Sequence, residues 1–95
     1  MTMKLVTLYT KTYCGYSKRA KALLTEQGVE YEDIDVTEDE TRFSEMMERT
    51  GGSTTVPQIF ISGRHIGGFT ELAELHQRGE LDALRGAEGD AASPG

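Results

Sequence analysis

A strand, a helix and a second strand are predicted within the first 36 residues, and this arrangement restricts the fold more than any other feature of the sequence. Residues 4–9 have the composition of a strand, residues 16–27 have the apolar spacing of a helix, and residues 29–36 indicate a second strand. Gly28 supplies the left-handed residue that commonly ends a helix. Because a helical crossover joins parallel strands, this segment predicts a right-handed βαβ unit.

The second half of the sequence predicts a helix, a β-hairpin and a third helix. Thr37 begins a capping-box pattern, Thr37-Glu38-Asp39-Glu40, so a helix is expected to start there and to end at Gly51-Gly52. Ser62-Gly63 forms a two-residue turn between two β-rich runs and therefore predicts a hairpin. Thr70 is the predicted N-cap of the third helix, and the predicted order is β-α-β-α-β-β-α.

The 95 residues are enough for one small domain, which we expect to comprise residues 1–85. Residues 86–95 are small and polar, and they are predicted to form a disordered tail. The N-terminus lacks the apolar block of a signal peptide, and no apolar run approaches the roughly 18 residues of a membrane span. The sequence thus favours a cytoplasmic protein that does not associate with a membrane.

Cys14, the only cysteine, lies at the predicted turn between the first strand and the first helix. A thiol there faces unpaired N–H groups and the positive end of the helix dipole, which favour the reactive thiolate. The first 21 residues contain five bases and no acid, although the net charge of the chain is −6. This local charge also favours a thiolate and attracts an anionic ligand. The alternative interpretation is a buried, inert cysteine.

The same residues argue against several other classes of site. One cysteine cannot form an internal disulfide, and Cys14, His65 and His76 lack the spacing of a structural zinc site, so no metal site is predicted. Both histidines are interpreted as surface or hydrogen-bonded structural residues. The pI of about 4.8, without an extended basic run, disfavours a nucleic-acid surface.

Four motifs together resemble those of the glutaredoxin family. They are Tyr9-Thr10-Lys11 with Cys14-Gly15-Tyr16, then Arg19-Ala20-Lys21-Ala22-Leu23-Leu24, Thr55-Val56-Pro57-Gln58-Ile59-Phe60-Ile61, and Ile66-Gly67-Gly68. The resemblance covers residues 4–85 and is nearest to the small bacterial type. It implies an α/β protein with the thioredoxin fold, a four-stranded mixed sheet flanked by helices. It also implies a glutathione-dependent thiol-disulfide oxidoreductase that acts on glutathione mixed disulfides.

The resemblance assigns roles to individual residues. Cys14 is implied to be the nucleophile, and Ser17 stands where a resolving cysteine would complete a Cys-x-x-Cys pair. Since serine cannot form a disulfide, Ser17 limits the chain to a monothiol mechanism. The residues implied to bind glutathione are Lys11, Tyr16, Thr55, Val56, Pro57, Phe69, Thr70 and Glu71.

Within that set, Lys11 is expected to meet the glycyl carboxylate, and a cis-Pro57 to expose the backbone of Val56 to the cysteinyl backbone. The N–H groups of residues 69–71 are expected to bind the γ-glutamyl carboxylate. Related chains often have cysteine or glycine followed by aspartates there. Phe69 and Thr70 depart from that pattern, so only the backbone role carries over.

Two questions stay open from the sequence. Ser17 is either natural or a designed replacement of a resolving cysteine. The alternative function is an iron–sulfur carrier. In it, two chains would share a [2Fe–2S] cluster that is bound by Cys14 and one glutathione from each chain. Gly15 is compatible with such a cluster. The lead-in loop usual in monothiol relatives is absent, which argues against the carrier. The enzyme is expected to be a monomer. Its expected partners are glutathione and either glutathionylated proteins or small mixed disulfides.

Overall fold

The computed structural model describes residues 4–85, and within them the predicted order of elements is confirmed. The predicted tail, residues 86–95, lies outside the described part of the chain. No helix among residues 4–85 has the length and apolar character needed to cross a membrane. The elements are β1 (Val6–Thr10), α1 (Gly15–Glu26), β2 (Tyr31–Asp35), α2 (Glu40–Thr50), β3 (Gln58–Ile61), β4 (Arg64–Gly67), α3 (Phe69–Gln77) and a short 3₁₀ turn (Asp82–Leu84).

The four strands form one mixed sheet in the order β2-β1-β3-β4. β1 runs parallel to β2, with Val6 opposite Tyr31, as the strand-helix-strand pattern predicts. β3 runs antiparallel to both β1 and β4, and the hairpin turn places Ile61 opposite Arg64. The sheet therefore has the four-stranded mixed architecture expected from the sequence.

Alternating side chains on the central strands build a core on each face of the sheet. Leu8 and Ile59 pack on one face with Leu24 of α1 and Leu72 of α3. Phe60, like Tyr9, points to the other face, which packs against α2. Helices on both faces leave the ends of the strands as the exposed positions for a site.

α2 begins two residues later than predicted, because Asp39 and not Thr37 is its N-cap. The Asp39 carboxylate accepts a hydrogen bond from the backbone N–H of Arg42 at 3.0 Å. The Thr37 hydroxyl instead donates to the Asp35 carboxylate and accepts from the N–H of Thr12 at 2.9 Å. The predicted cap was wrong because the Thr37 side chain is engaged by the preceding strand and by the loop before Cys14.

α3 begins earlier than predicted, with Gly68 rather than Thr70 as the N-cap. The Glu71 carboxylate reaches back and accepts from the N–H of Gly68 at 2.8 Å. Gly67 has φ of 119°, and a Cβ there would lie 2.7 Å from the Glu71 carboxylate. The bend at Gly67-Gly68 is thus confirmed, and Thr70 lies inside the first turn of the helix.

Candidate active site

A tight turn carries the chain from β1 into α1 and places Cys14 at the helix N-terminus. The N–H of Cys14 donates to the carbonyl of Lys11 at 3.2 Å, and the carbonyl of Cys14 accepts the first helical bond from Lys18 at 3.1 Å. Cys14 has extended backbone angles, φ of −91° and ψ of 121°, and is the N-cap residue of α1. The predicted position of the thiol at this junction is confirmed by the structure.

The sulfur of Cys14 accepts a hydrogen bond from the backbone N–H of Ser17 at 3.4 Å and is partly exposed. Burial raises the pKa of the Cys14 thiol, but this effect is outweighed by interactions that favour the thiolate. These are hydrogen bonds from the backbone and hydroxyl of Ser17 and from the backbone of Tyr16, together with the charge of Lys11. The net result is a pKa below the ordinary cysteine value, so the site favours a nucleophile.

Ser17 lies in the first turn of α1 and is completely buried. Its hydroxyl oxygen accepts a hydrogen bond from the N–H of Lys11 at 3.4 Å. The side chain therefore links the first turn of α1 to the loop that precedes Cys14. A serine here supports the sulfur through hydrogen bonds but offers no second thiol.

The loop before β3 approaches Cys14 from a distant part of the sequence. The Cys14 sulfur lies 3.6 Å from the carbonyl oxygen of Val56, 42 positions along the chain. The peptide bond between Val56 and Pro57 is cis, in agreement with the implication of the motif. The backbone of Val56 is thus adjacent to the sulfur, where an extended peptide could pair with it.

A cleft of about 470 Å³ extends from this loop to the start of α3. Seven of the eight residues expected to bind glutathione line it: Tyr16, Thr55, Val56, Pro57, Phe69, Thr70 and Glu71. The rings of Tyr16 and Phe69 lie 6.1 Å apart on one wall. The cleft therefore connects the vicinity of Cys14 with the N-terminal end of a helix, where N–H groups favour a carboxylate.

Lys11 is the expected binding residue that lies outside the lining of this cleft. Its ammonium nitrogen is 5.1 Å from the centre of the Phe43 ring and 6.0 Å from that of Tyr13. Lys11 nevertheless helps to lower the pKa of Cys14 through its charge. The structure therefore associates Lys11 with the sulfur, on the α2 side of the site.

Two polar residues in the cleft were not predicted to be part of the site. Gln58 and His65 both line it, and the two side chains are hydrogen-bonded. His76 lies in the last turn of α3, away from the cleft. The hairpin could have predicted the contact between Gln58 and His65. Its two-residue turn places His65 opposite Phe60, and therefore diagonal to Gln58 on the same face of the sheet.

No group of three or more His, Cys, Asp or Glu side chains within residues 4–85 is arranged to hold a metal ion.

A family model described as glutaredoxin matches residues 6–66. The chain belongs to the glutaredoxin family. Glutaredoxin 3 of Escherichia coli strain K12 is 47% identical over 79 residues, covering 83% of this chain and 94% of the relative. Monothiol glutaredoxin-S10 of Oryza sativa subsp. japonica is 39% identical over 82 residues, covering 83% of this chain and 50% of the relative.

The solved structure of a buckwheat glutaredoxin–glutathione complex superposes with a TM-score of 0.76 at 32% identity. The match covers 88% of this chain and 78% of the buckwheat chain. The resemblance drawn from the four motifs is thus confirmed, as is the thioredoxin-type fold. This glutaredoxin is a glutathione-dependent oxidoreductase.

Proposed function

We propose that this glutaredoxin reduces glutathione mixed disulfides by a monothiol mechanism in which Cys14 is the nucleophile. The observation that carries the proposal is the position of its sulfur, capped by the N–H of Ser17 and 3.6 Å from the Val56 carbonyl at the cleft. Ser17 provides no resolving thiol, so the second step requires a thiol from solution. The rice relative named a monothiol glutaredoxin supports this interpretation.

The first step is a thiol-disulfide exchange at the glutathione sulfur of the substrate. The Cys14 thiolate attacks that sulfur, a bond forms between the two, and the substrate disulfide breaks. The substrate leaves as a thiolate, which takes a proton from water. Because the pKa of Cys14 is lowered, a larger fraction of the sulfur is the attacking thiolate at neutral pH than in an ordinary cysteine.

The second step restores the enzyme. A glutathione thiolate attacks the glutathione sulfur held on Cys14, so oxidised glutathione forms and the Cys14 thiolate is released. Over the cycle the substrate disulfide is reduced and one glutathione from solution is consumed. The oxidised product joins that glutathione to the glutathionyl group removed from the substrate. A low thiol pKa also makes Cys14 a good leaving group in this step.

The cleft supplies the specificity of the proposal for glutathione. The backbone of Val56 would pair with the cysteinyl residue, and the first N–H groups of α3 would bind the γ-glutamyl carboxylate. Tyr16, Thr55, Pro57 and Phe69 would border the bound tripeptide, and the charge of Lys11 would attract the glycyl carboxylate. The glutathione in the buckwheat complex supports a tripeptide ligand for this fold.

We place the reaction in the cytoplasm, where reduced glutathione maintains free thiols. Glutathionylated proteins and small mixed disulfides are the proposed substrates, and the monomer is the proposed active form.

The test measures turnover of a glutathionylated peptide with reduced glutathione by the wild type, Cys14→Ser and Ser17→Cys. The wild type is expected to turn over, to carry one glutathione on Cys14 by mass spectrometry, and to reduce protein disulfides poorly. Ser17→Cys is expected to gain activity on protein disulfides because it restores a resolving thiol. Turnover by Cys14→Ser at the wild-type rate would rule out the mechanism.

The cluster-carrier alternative is tested by anaerobic purification with iron, sulfide and glutathione. A colourless monomer that reduces glutathione mixed disulfides is the result expected for the enzyme. A brown dimer with charge-transfer bands would support the carrier instead. The direct turn from Lys11 to Cys14, closed by a single backbone hydrogen bond, favours the enzyme because it contains no additional loop.

A further inference from the structure

Gln58 connects two sides of the cleft through hydrogen bonds. Its side chain is 5% exposed, and its amide nitrogen donates to the carbonyl oxygen of Thr55 at 2.9 Å and to the Thr55 hydroxyl at 3.1 Å. Its amide oxygen lies 2.6 Å from Nε2 of His65. A buried amide thus joins an exposed loop residue to an exposed strand residue.

The direction of these hydrogen bonds follows from the chemistry of the groups. The Thr55 carbonyl oxygen is an acceptor only, so the Gln58 atom that faces it must be the NH₂ group. The Gln58 oxygen therefore faces His65, and Nε2 of His65 must carry the hydrogen. The result is a directed chain from His65 through Gln58 to Thr55.

This chain of hydrogen bonds ends on the peptide unit next to the one whose carbonyl lies beside Cys14. The Thr55 carbonyl and the Val56 N–H belong to one planar trans peptide, in which the two groups point in opposite directions. Holding the carbonyl against Gln58 therefore fixes the direction of the Val56 N–H. The carbonyl of Val56 is the group 3.6 Å from the Cys14 sulfur, so the same short loop reaches the reacting atom.

His65 is itself held in place by the hairpin. It lies opposite Phe60 in the strand register, and the two ring centres are 5.0 Å apart with an interplanar angle of 32°. Phe60 is buried, which fixes one side of the imidazole. The donor end of the chain is therefore positioned by the sheet, although His65 is exposed.

We propose that Gln58 and His65 are positioning residues that orient the Thr55–Val56 peptide for glutathione, an inference that rests on the proposed function. Neither residue transfers a proton in this role. Their effect is on recognition of the tripeptide and not on the nucleophilicity of Cys14. Specificity for the glutathione part of a mixed disulfide thus depends on a pair of side chains on the hairpin.

The test compares Gln58→Glu, His65→Phe and His65→Gln with the wild type. Gln58→Glu keeps an acceptor for His65 but removes the donor to Thr55, and His65→Phe keeps a ring against Phe60 but removes the N–H. His65→Gln retains a side-chain donor and serves as the conservative rescue. Arg64→Gln, on the neighbouring exposed position of β4, is the matched control.

The readouts are kcat and KM for a glutathionylated peptide and for the same peptide as a mixed disulfide with 2-mercaptoethanol. Loss of one buried hydrogen bond is expected to raise KM for the glutathionylated peptide about three- to tenfold in Gln58→Glu and His65→Phe. In these two variants we expect less than about a twofold change from the wild type in kcat, in KM for the mercaptoethanol peptide and in the alkylation rate of Cys14. For His65→Gln and Arg64→Gln, all of the measured values should stay within about twofold of the wild type.

Different results would overturn different parts of the proposal. If the wild type turns over and KM is unchanged in both Gln58→Glu and His65→Phe, the positioning role is wrong while the proposed function stands. Equal losses on the two peptides would also overturn it, because a general structural effect does not distinguish glutathione. No turnover by the wild type would overturn the proposed function and the positioning role together. Since His65 is exposed, its variants keep the test valid even if Gln58→Glu does not fold.

Discussion

At the scale of single residues, the thiolate form of Cys14 is stabilised by a few neighbouring groups, which oppose the effect of burial on its pKa. Burial raises the pKa of the thiol, while hydrogen bonds from Ser17 and Tyr16 and the charge of Lys11 lower it. Of these groups, only Lys11 carries a full charge. Its role can therefore be separated from that of the backbone by changing one side chain.

Lys11→Met is expected to raise the pKa of Cys14. Removal of a nearby cation destabilises the thiolate, so the midpoint of the alkylation rate against pH should move to higher pH. At pH values below the wild-type midpoint, the variant should react more slowly with iodoacetamide than the wild type. Methionine preserves contact with the Phe43 ring.

Lys18→Met is the control for this experiment, because Lys18 is exposed and is not among the groups that shift the pKa of Cys14. Its profile should match that of the wild type. Equal shifts in both variants would indicate a general effect of net charge and would contradict the specific role of Lys11.

At the scale of elements, a partly buried polar cluster connects α2 to the sheet. The Tyr9 hydroxyl, on a completely buried side chain of β1, donates to the Glu45 carboxylate and accepts from Nη1 of Arg49 at 2.7 Å. The Arg49 guanidinium also lies 4.0 Å from the centre of the Phe60 ring. Burial, together with the hydrogen bond to Glu45, raises the pKa of the Tyr9 hydroxyl, which stabilises the protonated donor form further.

Tyr9→Phe is expected to lower the free energy of unfolding by about 1–3 kcal/mol, because Glu45 and Arg49 lose a buried partner. Urea unfolding followed by circular dichroism measures the change. Tyr13→Phe, in which the ring is 71% exposed, should change the value by less than about 0.5 kcal/mol. Equal effects of the two substitutions would show that the hydrogen bonds of the Tyr9 hydroxyl contribute nothing specific to stability.

The observed caps lead to a second prediction about elements. Asp39→Ala removes the hydrogen bond to the N–H of Arg42 and should lower the free energy of unfolding by about 0.5–2 kcal/mol. Thr70→Ala removes no cap and should have little effect on the same measurement. A larger loss of unfolding free energy in Thr70→Ala than in Asp39→Ala would mean that Thr70, as predicted from the sequence, and not Gly68, is the N-cap of α3.

These caps show where the sequence was insufficient. The pattern at Thr37 matched a capping box, but a nearby carboxylate and a backbone N–H from another loop compete for its hydroxyl. Such competition depends on the packed structure. In contrast, the order of elements could be predicted because apolar periodicity and turn residues act locally.

The active site likewise has features that the sequence predicts and features that depend on packing. The location of Cys14 and the residues along the cleft followed from the motifs, whereas the contact of Lys11 with Phe43 depends on how α2 packs. The sequence does not single out Gln58 or His65, because each is an ordinary residue within its own strand. Considering the hairpin register would have brought them together.

At the scale of the whole molecule, the last described residues pack against the core and against the end of α1. Leu81 is 1% exposed and belongs to the core beneath α1 and α3. Nε of Arg85 donates to the carbonyl of Gln27 at 2.6 Å, and its Nη2 donates to the Gln27 side chain at 2.9 Å. These contacts connect residue 85 to the end of α1.

A chain shortened to residues 1–85 is therefore expected to keep the thermal stability and the activity of the full chain. A chain shortened to residues 1–80 should lose more than about 2 kcal/mol of unfolding free energy, because the core loses Leu81. Thermal and urea unfolding of the two proteins provide the comparison. A large loss on removal of residues 86–95 alone would contradict the predicted domain boundary.

The capping of α1 by sulfur has a consequence for the resting state of the whole protein. An anionic sulfur accepts the Ser17 N–H strongly and complements the helix dipole, whereas a sulfur in a disulfide is neutral and accepts weakly. In the proposed cycle, attachment of glutathione to Cys14 would therefore weaken the cap of α1, and departure of the glutathione would restore it. This difference in cap strength favours release of the Cys14 thiolate in the second proposed step.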